Sequence, residues 1–147
     1  MPKALALLLL LTMTVLAGCG RADTKQGDKN YLADLHARAE RGDTKAQGFL
    51  GAAYAEGQGV PKDDAQAVMW WRKAAEQGDA DAQFAVALSY ATGEGVPQDY
   101  AQAVAWYRLA AEQGFIEAQY NLGLMYATGQ GVPKDDAQAV MWWRKAA

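Results

Sequence analysis

The chain holds one cysteine, one histidine and one serine, namely Cys19, His36 and Ser89. With a lone cysteine no intrachain disulfide can form, so the fold must rest on packing alone. A Ser-His-acid triad or a Cys-His pair needs its members side by side, yet His36 and Ser89 stand far apart in the sequence. A histidine-rich metal site needs more than one histidine. No enzyme chemistry, metal or cofactor is therefore expected. Basic clusters are also missing: 14 Lys and Arg against 17 Asp and Glu give a net charge of -3, which makes a nucleic-acid partner a poor fit. Long apolar runs are absent except at the start.

That start reads as a secretory signal. Met-Pro-Lys precedes an apolar run from Ala4 to Ala17 that is short for a bilayer span, and small residues follow it. Leu16-Ala17-Gly18-Cys19 resembles the lipobox of bacterial lipoproteins, in which the cysteine sulfur carries a diacylglycerol. The expected mature chain begins at Cys19 and is anchored to a membrane by its acyl chains. Residues 1–18 form the signal peptide and 19–30 a polar, flexible tether. Loss of Lys3 takes the charge from -3 to -4. The expected location is the bacterial cell envelope; in a Gram-negative host, the lack of Asp after Cys19 resembles the outer-membrane sorting signal.

Beyond the tether the sequence repeats itself. GQGVPKDDAQAVMWWRKAA occurs at Gly57–Ala75 and again, unchanged, at Gly129–Ala147. Midway between them, GEGVPQDYAQAVAWYRLAA at Gly93–Ala111 keeps 13 of 19 positions, so the period is 36 residues. Ala46-Gln47, Ala82-Gln83 and Ala118-Gln119 share one phase, as do Tyr54, Tyr90 and Tyr126. We divide the region into an N-terminal half repeat at 31–45 and repeats at 46–81, 82–117 and 118–147, the last incomplete.

Each repeat predicts two antiparallel helices. Ala67, Trp70, Trp71, Ala74 and Ala75 have the offsets of one amphipathic stripe. Pro61 blocks an earlier helix, Asp63 suits an N-cap, and Gln66 three residues on completes a capping-box pattern. Gly78 and Gly114 suit the left-handed C-terminal cap, after which Asp79 can cap the next helix. Small residues such as Ala46, Gly51, Ala67 and Ala74 let backbones approach, while Tyr54 and Trp70 fill space between neighbours.

The pattern from Ala46-Gln47 through Leu50-Gly51, Tyr54, Gly57, Gly59-Val60-Pro61, Asp63, Ala67, Trp70-Trp71-Arg72 and Ala74-Ala75 to Gly78 resembles the Sel-1-like repeat, a relative of the tetratricopeptide repeat. The resemblance covers about Tyr31 to Ala147. It implies an all-α fold, an α/α superhelical solenoid whose first helices line a concave surface, and a role as an adaptor or scaffold that binds other proteins. Two departures stand out: Ala87 where the pattern has glycine, and Phe115 where it has a polar cap. Some cysteine-rich relatives have been linked to β-lactam binding; their disulfide framework is absent here, so that activity is not carried over.

Other motifs read as structure. The Gly-x-Gly loops follow a helix and recur three times, which marks a turn rather than a phosphate loop. Asp63-Asp64 and Asp135-Asp136 read as solvated caps, and the paired aromatics Trp70-Trp71, Trp106-Tyr107 and Trp142-Trp143 as core. Positions that vary between repeats on the first helices are those that stacking does not require. On that basis Phe84, Leu88, Tyr120, Asn121, Leu124 and Thr128 are the expected groove for an extended peptide or a partner helix. An enzyme acting on cell wall or β-lactams, and a purely structural lipoprotein, are the alternatives from other classes. Finally, Ala147 lacks the Glu-Gln-Gly that follows Ala75 and Ala111. An uncapped helix with Trp142 and Trp143 uncovered is expected to fray or to bury that face against a second copy in a homodimer.

Overall fold

The computed structural model describes residues 21–147, with side chains from residue 29 onward. The signal peptide at 1–18 and the lipidation site Cys19 lie outside the described residues. Seven helices follow one another, with no strand among the described residues. They are α1 (Arg21–Glu40), α2 (Thr44–Glu56), α3 (Asp64–Glu76), α4 (Ala80–Thr92), α5 (Tyr100–Glu112), α6 (Ile116–Thr128) and α7 (Asp136–Ala146). The protein is an all-α helical repeat, and no described helix is long and apolar enough to cross a membrane.

The chain divides into two units, the first ending at Asp34 and the second running from Leu35 to Ala147. In the first unit, the tether expected at 19–30 is helical from Arg21 onward. No proline interrupts residues 21–40, and extending a formed helix fixes one residue per added hydrogen bond, so the polar sequence propagates as helix. Near its end, within the second unit, Leu35 and Ala39 are buried.

The second unit is built from helix pairs α2/α3, α4/α5 and α6/α7, each packed on its neighbours in the chain. Alanine makes the close contacts: Ala46, Ala67, Ala74, Ala87, Ala103, Ala110 and Ala118 have no exposed surface. Leu50, Val86 and Leu122, also fully buried, fill one equivalent position in the three pairs. Large side chains therefore meet small ones across each interface, as close packing requires.

The ends of the helices follow the sequence, with one difference. Asp63, Asp99 and Asp135 each accept a hydrogen bond from the backbone N–H three residues on, at 3.0, 3.1 and 3.0 Å. The reciprocal half of the capping box is replaced: the backbone N–H of each aspartate donates to Tyr54, Tyr90 or Tyr126 O, 2.9 Å away in all three loops. The loop is thereby tied to the helix it leaves. At the other end Gly78 adopts φ +93°, and the Asp79 N–H reaches back to Ala74 O at 3.2 Å, the six-to-one bond of a Schellman cap. The second glycine of the loop has a further task. A Cβ on Gly95 would overlap the backbone carbonyl of Asp64, and one on Gly131 that of Tyr100.

The C-terminal helix departs from expectation. It is helical through Ala146, and Trp142 is as buried as Trp70, each 6% exposed. Its own pair and α5 cover it, with Lys145 Nζ 4.2 Å above the ring just as Lys73 lies 4.2 Å above Trp70. Trp142 thus needs no following repeat to be covered. Trp143 is half-buried, and its indole Nε1 donates to Tyr120 O at 3.1 Å.

Candidate functional site

Helices α2, α4 and α6 share one outward face. On it Phe49, Leu88, Tyr120 and Leu124 are 61, 42, 58 and 44% exposed. Their helices are held in register by second-helix side chains. Arg72 Nη2 donates to the Tyr90 hydroxyl, and Arg108 Nη2 donates to that of Tyr126 at 2.7 Å. One repeat earlier the same place is taken by His36, whose ring packs edge-on against Tyr54 and Trp70 at 5.9 and 6.1 Å. The single histidine is a packing residue.

The expected groove residues divide into two sets. Leu88, Tyr120, Leu124 and Thr128 are exposed on this face, with Thr128 Oγ1 turned back to donate to Leu124 O at 2.9 Å. Phe84 and Asn121 are engaged elsewhere. Phe84 is half-buried and stacks on Phe115 with ring centroids 5.0 Å apart, and lies 5.7 Å from the Tyr107 ring. It fills the gap between repeats rather than lining an open groove. Asn121 forms a hydrogen bond with the buried Tyr107 hydroxyl; burial pushes that phenol above its ordinary range and the Asn121 bond partly offsets this.

Two residues outside the expected set matter more. Gly48 and Phe49 border a cavity of about 240 Å³, together with Lys45, Ala52, Trp71 and Asp79. Gly48 occupies the position of Phe84 and Tyr120, and Asp79 that of Phe115. Both differences are visible in the aligned repeats once the two positions are known to touch. At the rim, Lys45 Nζ lies 2.7 Å from Asp79 Oδ2. Burial pushes the Asp79 carboxyl up, but the Lys45 ammonium and the Ala82 N–H outweigh it and hold the group below the usual range. The same hydrogen bond to Asp79 holds the Lys45 ammonium above its usual range.

The chemistry-bearing residues are otherwise committed to structure. Ser89 Oγ donates to Ala85 O at 3.0 Å. Asp64 and Asp136 face Lys62 and Lys134 at 3.5 and 3.6 Å, beside the capping Asp63 and Asp135. Among the described residues no cluster of His, Cys, Asp or Glu could hold a metal ion. A second open cleft, between Arg108, Tyr126, Lys134 and Trp142, has mixed walls.

Repeated antiparallel helix pairs with an apolar outward face define an α/α repeat protein of the kind that binds other proteins. The Sel1 repeat model matches residues 44–79, 80–115 and 116–147, and the chain belongs to the Sel1 repeat family. Each match starts two residues before the repeat expected from the sequence period. Members of the family typically mediate protein–protein interaction as non-catalytic scaffolds.

Among solved structures, the chain is similar to c5321, a protective antigen of uropathogenic Escherichia coli displaying an SLR fold. Identity is 51% over 78% of this chain and 25% of that one, with a TM-score of 0.75. A Sel1 repeat protein from Oxalobacter formigenes is 36% identical over 90% of this chain and 54% of that one, at TM-score 0.77. Cysteine rich protein B of Helicobacter pylori shares the fold at 20% identity, covering 83% of this chain and 87% of that one, at TM-score 0.63. The chain thus spans a quarter of the first structure and about half of the second. No curated protein sequence matched it.

Proposed function

We propose that this protein is a lipid-anchored interaction scaffold of the bacterial cell envelope, which holds an extended peptide or partner helix against the face formed by α2, α4 and α6. The observation that carries the reading is the row of exposed apolar side chains on that face, Phe49, Leu88, Tyr120 and Leu124. They stand on a rigid framework of buried alanines that does not need them. Exposed apolar groups gathered on one face mark an interaction surface. Anchoring rests on the lipobox at Leu16–Cys19 and places the scaffold on the periplasmic face of the outer membrane in a Gram-negative host. A second copy against α7 belongs to the same reading.

The test of the scaffold is crosslinking capture from an envelope fraction, with wild type compared with Leu88→Glu/Leu124→Glu. Both leucines are exposed, so the helical signal and Tm should stay near wild type while capture of a reproducible partner is lost. Equal capture by both proteins would remove this face from the function. For the anchor, Cys19→Ala should abolish fatty-acid labelling and leave an unprocessed precursor. Sedimentation at rising concentration tests the second copy.

A further inference from the structure

In the middle repeat the ring of Phe84 lies in a slot between α4 and the start of α6. Phe115 stacks on it at 5.0 Å with the planes 29° apart, and Tyr107 stands 5.7 Å away. The first repeat builds the same slot from Gly48, Asp79 and Trp71, the residues 36 positions earlier. Nothing fills it. A Cβ on Gly48 would meet no atom within 4 Å, and the cavity measures about 240 Å³. Phe49 beside it stays 61% exposed and has not folded in to close it.

Resting on the scaffold reading above, we propose that the cavity beside Gly48 is the anchor subsite of the interaction surface, and that its occupant is one aromatic side chain, a phenylalanine or tyrosine, presented by a protein partner. The molecule supplies the precedent, since the equivalent slot in the next repeat is filled by a phenylalanine ring. Size agrees: an enclosed apolar cavity on the order of 150 Å³ takes benzene, and this open cleft, with Asp79 and Asp81 beside the apolar walls, measures about 240 Å³. Trp71 and Phe49 line the cavity with ring surfaces, against which an aromatic side chain packs favourably. Lys45, paired with Asp79 at the rim, sets an ammonium beside the entering ring, where a cation adds attraction to an aromatic face but not to an aliphatic side chain. Buried aromatic anchors in pockets dominate the energetics of most protein interfaces, so one such subsite would fix the register of a peptide along the face.

The experiment titrates the full chain with N-acetyl-phenylalaninamide and, separately, N-acetyl-leucinamide, following the indole N–H resonances by NMR. The phenylalanine probe should shift the Trp71 indole saturably and leave that of Trp143 unmoved, while the leucine probe gives no saturable response. Gly48→Phe, which puts into the first repeat the ring that the second already has, should keep the helical signal and lose the response. Phe49→Ala removes an exposed wall without touching the core, and should weaken binding of the probe with Tm unchanged, which keeps the test open if Gly48→Phe folds poorly. The proposal is overturned by equal shifts from both probes, by no shift at Trp71, or by unaltered binding in Phe49→Ala. A concentration-dependent dimer abolished by Gly48→Phe would assign the cavity to a second copy and overturn it too. If the probe fails while Leu88→Glu/Leu124→Glu still loses its partner, the scaffold stands and only the aromatic subsite falls.

Discussion

A Cβ placed on Gly51 would run into the indole of Trp71, and one on Gly123 into that of Trp143. In the middle repeat the partner is the smaller Tyr107, and there the glycine position holds Ala87, itself fully buried. The two positions are coupled: a methyl group on the first helix is tolerated only where the facing ring is a phenol. Gly51→Ala is expected to cost about 1–3 kcal/mol through overpacking. Gly51→Ala/Trp71→Tyr, which recreates the middle repeat's pair, should recover part of that loss, with a coupling of roughly 0.5–3 kcal/mol in urea unfolding. Additive losses would separate the two sites. In the sequence alone Ala87 is a simple departure from the repeat pattern, because its reason lies in a residue on another helix. The engagement of the expected groove residues Phe84 and Asn121 is hidden in the sequence for the same cause, since Phe115 and Tyr107 lie on other elements.

At the level of the helix and its ends, local signals were legible because their partners lie within a few residues. Pro61, Asp63 and Gly78 gave the helix boundaries directly. The buried glutamines were not, for they bridge elements. Gln47, Gln83 and Gln119 each donate from Nε2 to the carbonyl of Ala39, Ala75 or Ala111, at 3.0, 3.2 and 3.0 Å. Gln77 and Gln113 in turn donate to Gln47 and Gln83 at 2.7 and 2.8 Å. Gln83→Leu would remove one of two donors to the Ala75 carbonyl, which keeps the Gly78 N–H at 3.0 Å, and also the acceptor of Gln113, so we expect a loss of about 0.5–1.5 kcal/mol; Gln113→Ala, at an exposed position, should cost less in the same denaturation assay.

The N-cap of α4 carries a pH dependence. The folded-state carboxyl of Asp79 sits below its ordinary value of 3.8, so its contribution is present above that value and is lost as pH falls through the folded pKa. Asp79→Asn keeps a capping oxygen but loses the charge opposite Lys45. Its Tm should therefore lie below wild type at neutral pH and converge with it in strong acid. A gap that stays constant through the acid range in which the wild-type Asp79 carboxylate titrates would mean that the ion pair is not its source. At the next equivalent cap, Phe115 makes no side-chain hydrogen bond. Phe115→Asp would regain a cap but forfeit the stack on Phe84, and the larger aromatic loss should win by about 1–2 kcal/mol.

Across the second unit, the strict 36-residue period made the repeat fold plain, since any architecture other than stacked pairs would leave the recurring apolar stripes uncovered. What the period does not reveal is how firmly successive pairs are joined. Trp106 and Tyr90 both join them, and Trp106 is the larger. Half-buried, it packs against the cluster of Ala74, Ala75, Ala82 and Val86 on one side and against that of Ala103, Tyr107, Leu122 and Trp142 on the other. Leu122, fully buried, belongs to the second cluster alone. In a repeat array stability is a sum of unit terms and nearest-neighbour terms, and the two residues sample different parts of that sum. Leu122→Ala should cost about 2–5 kcal/mol by opening a cavity and leave a single steep transition. Trp106→Ala, expected to cost roughly 3–5 kcal/mol, should also weaken the coupling between pairs: the urea transition broadens, the apparent m falls, and native-state hydrogen exchange separates amides before Thr92 from those after Tyr100. An unbroadened transition with uniform protection in Trp106→Ala would show that the contacts that remain, those of Tyr90 among them, are enough to couple the repeats.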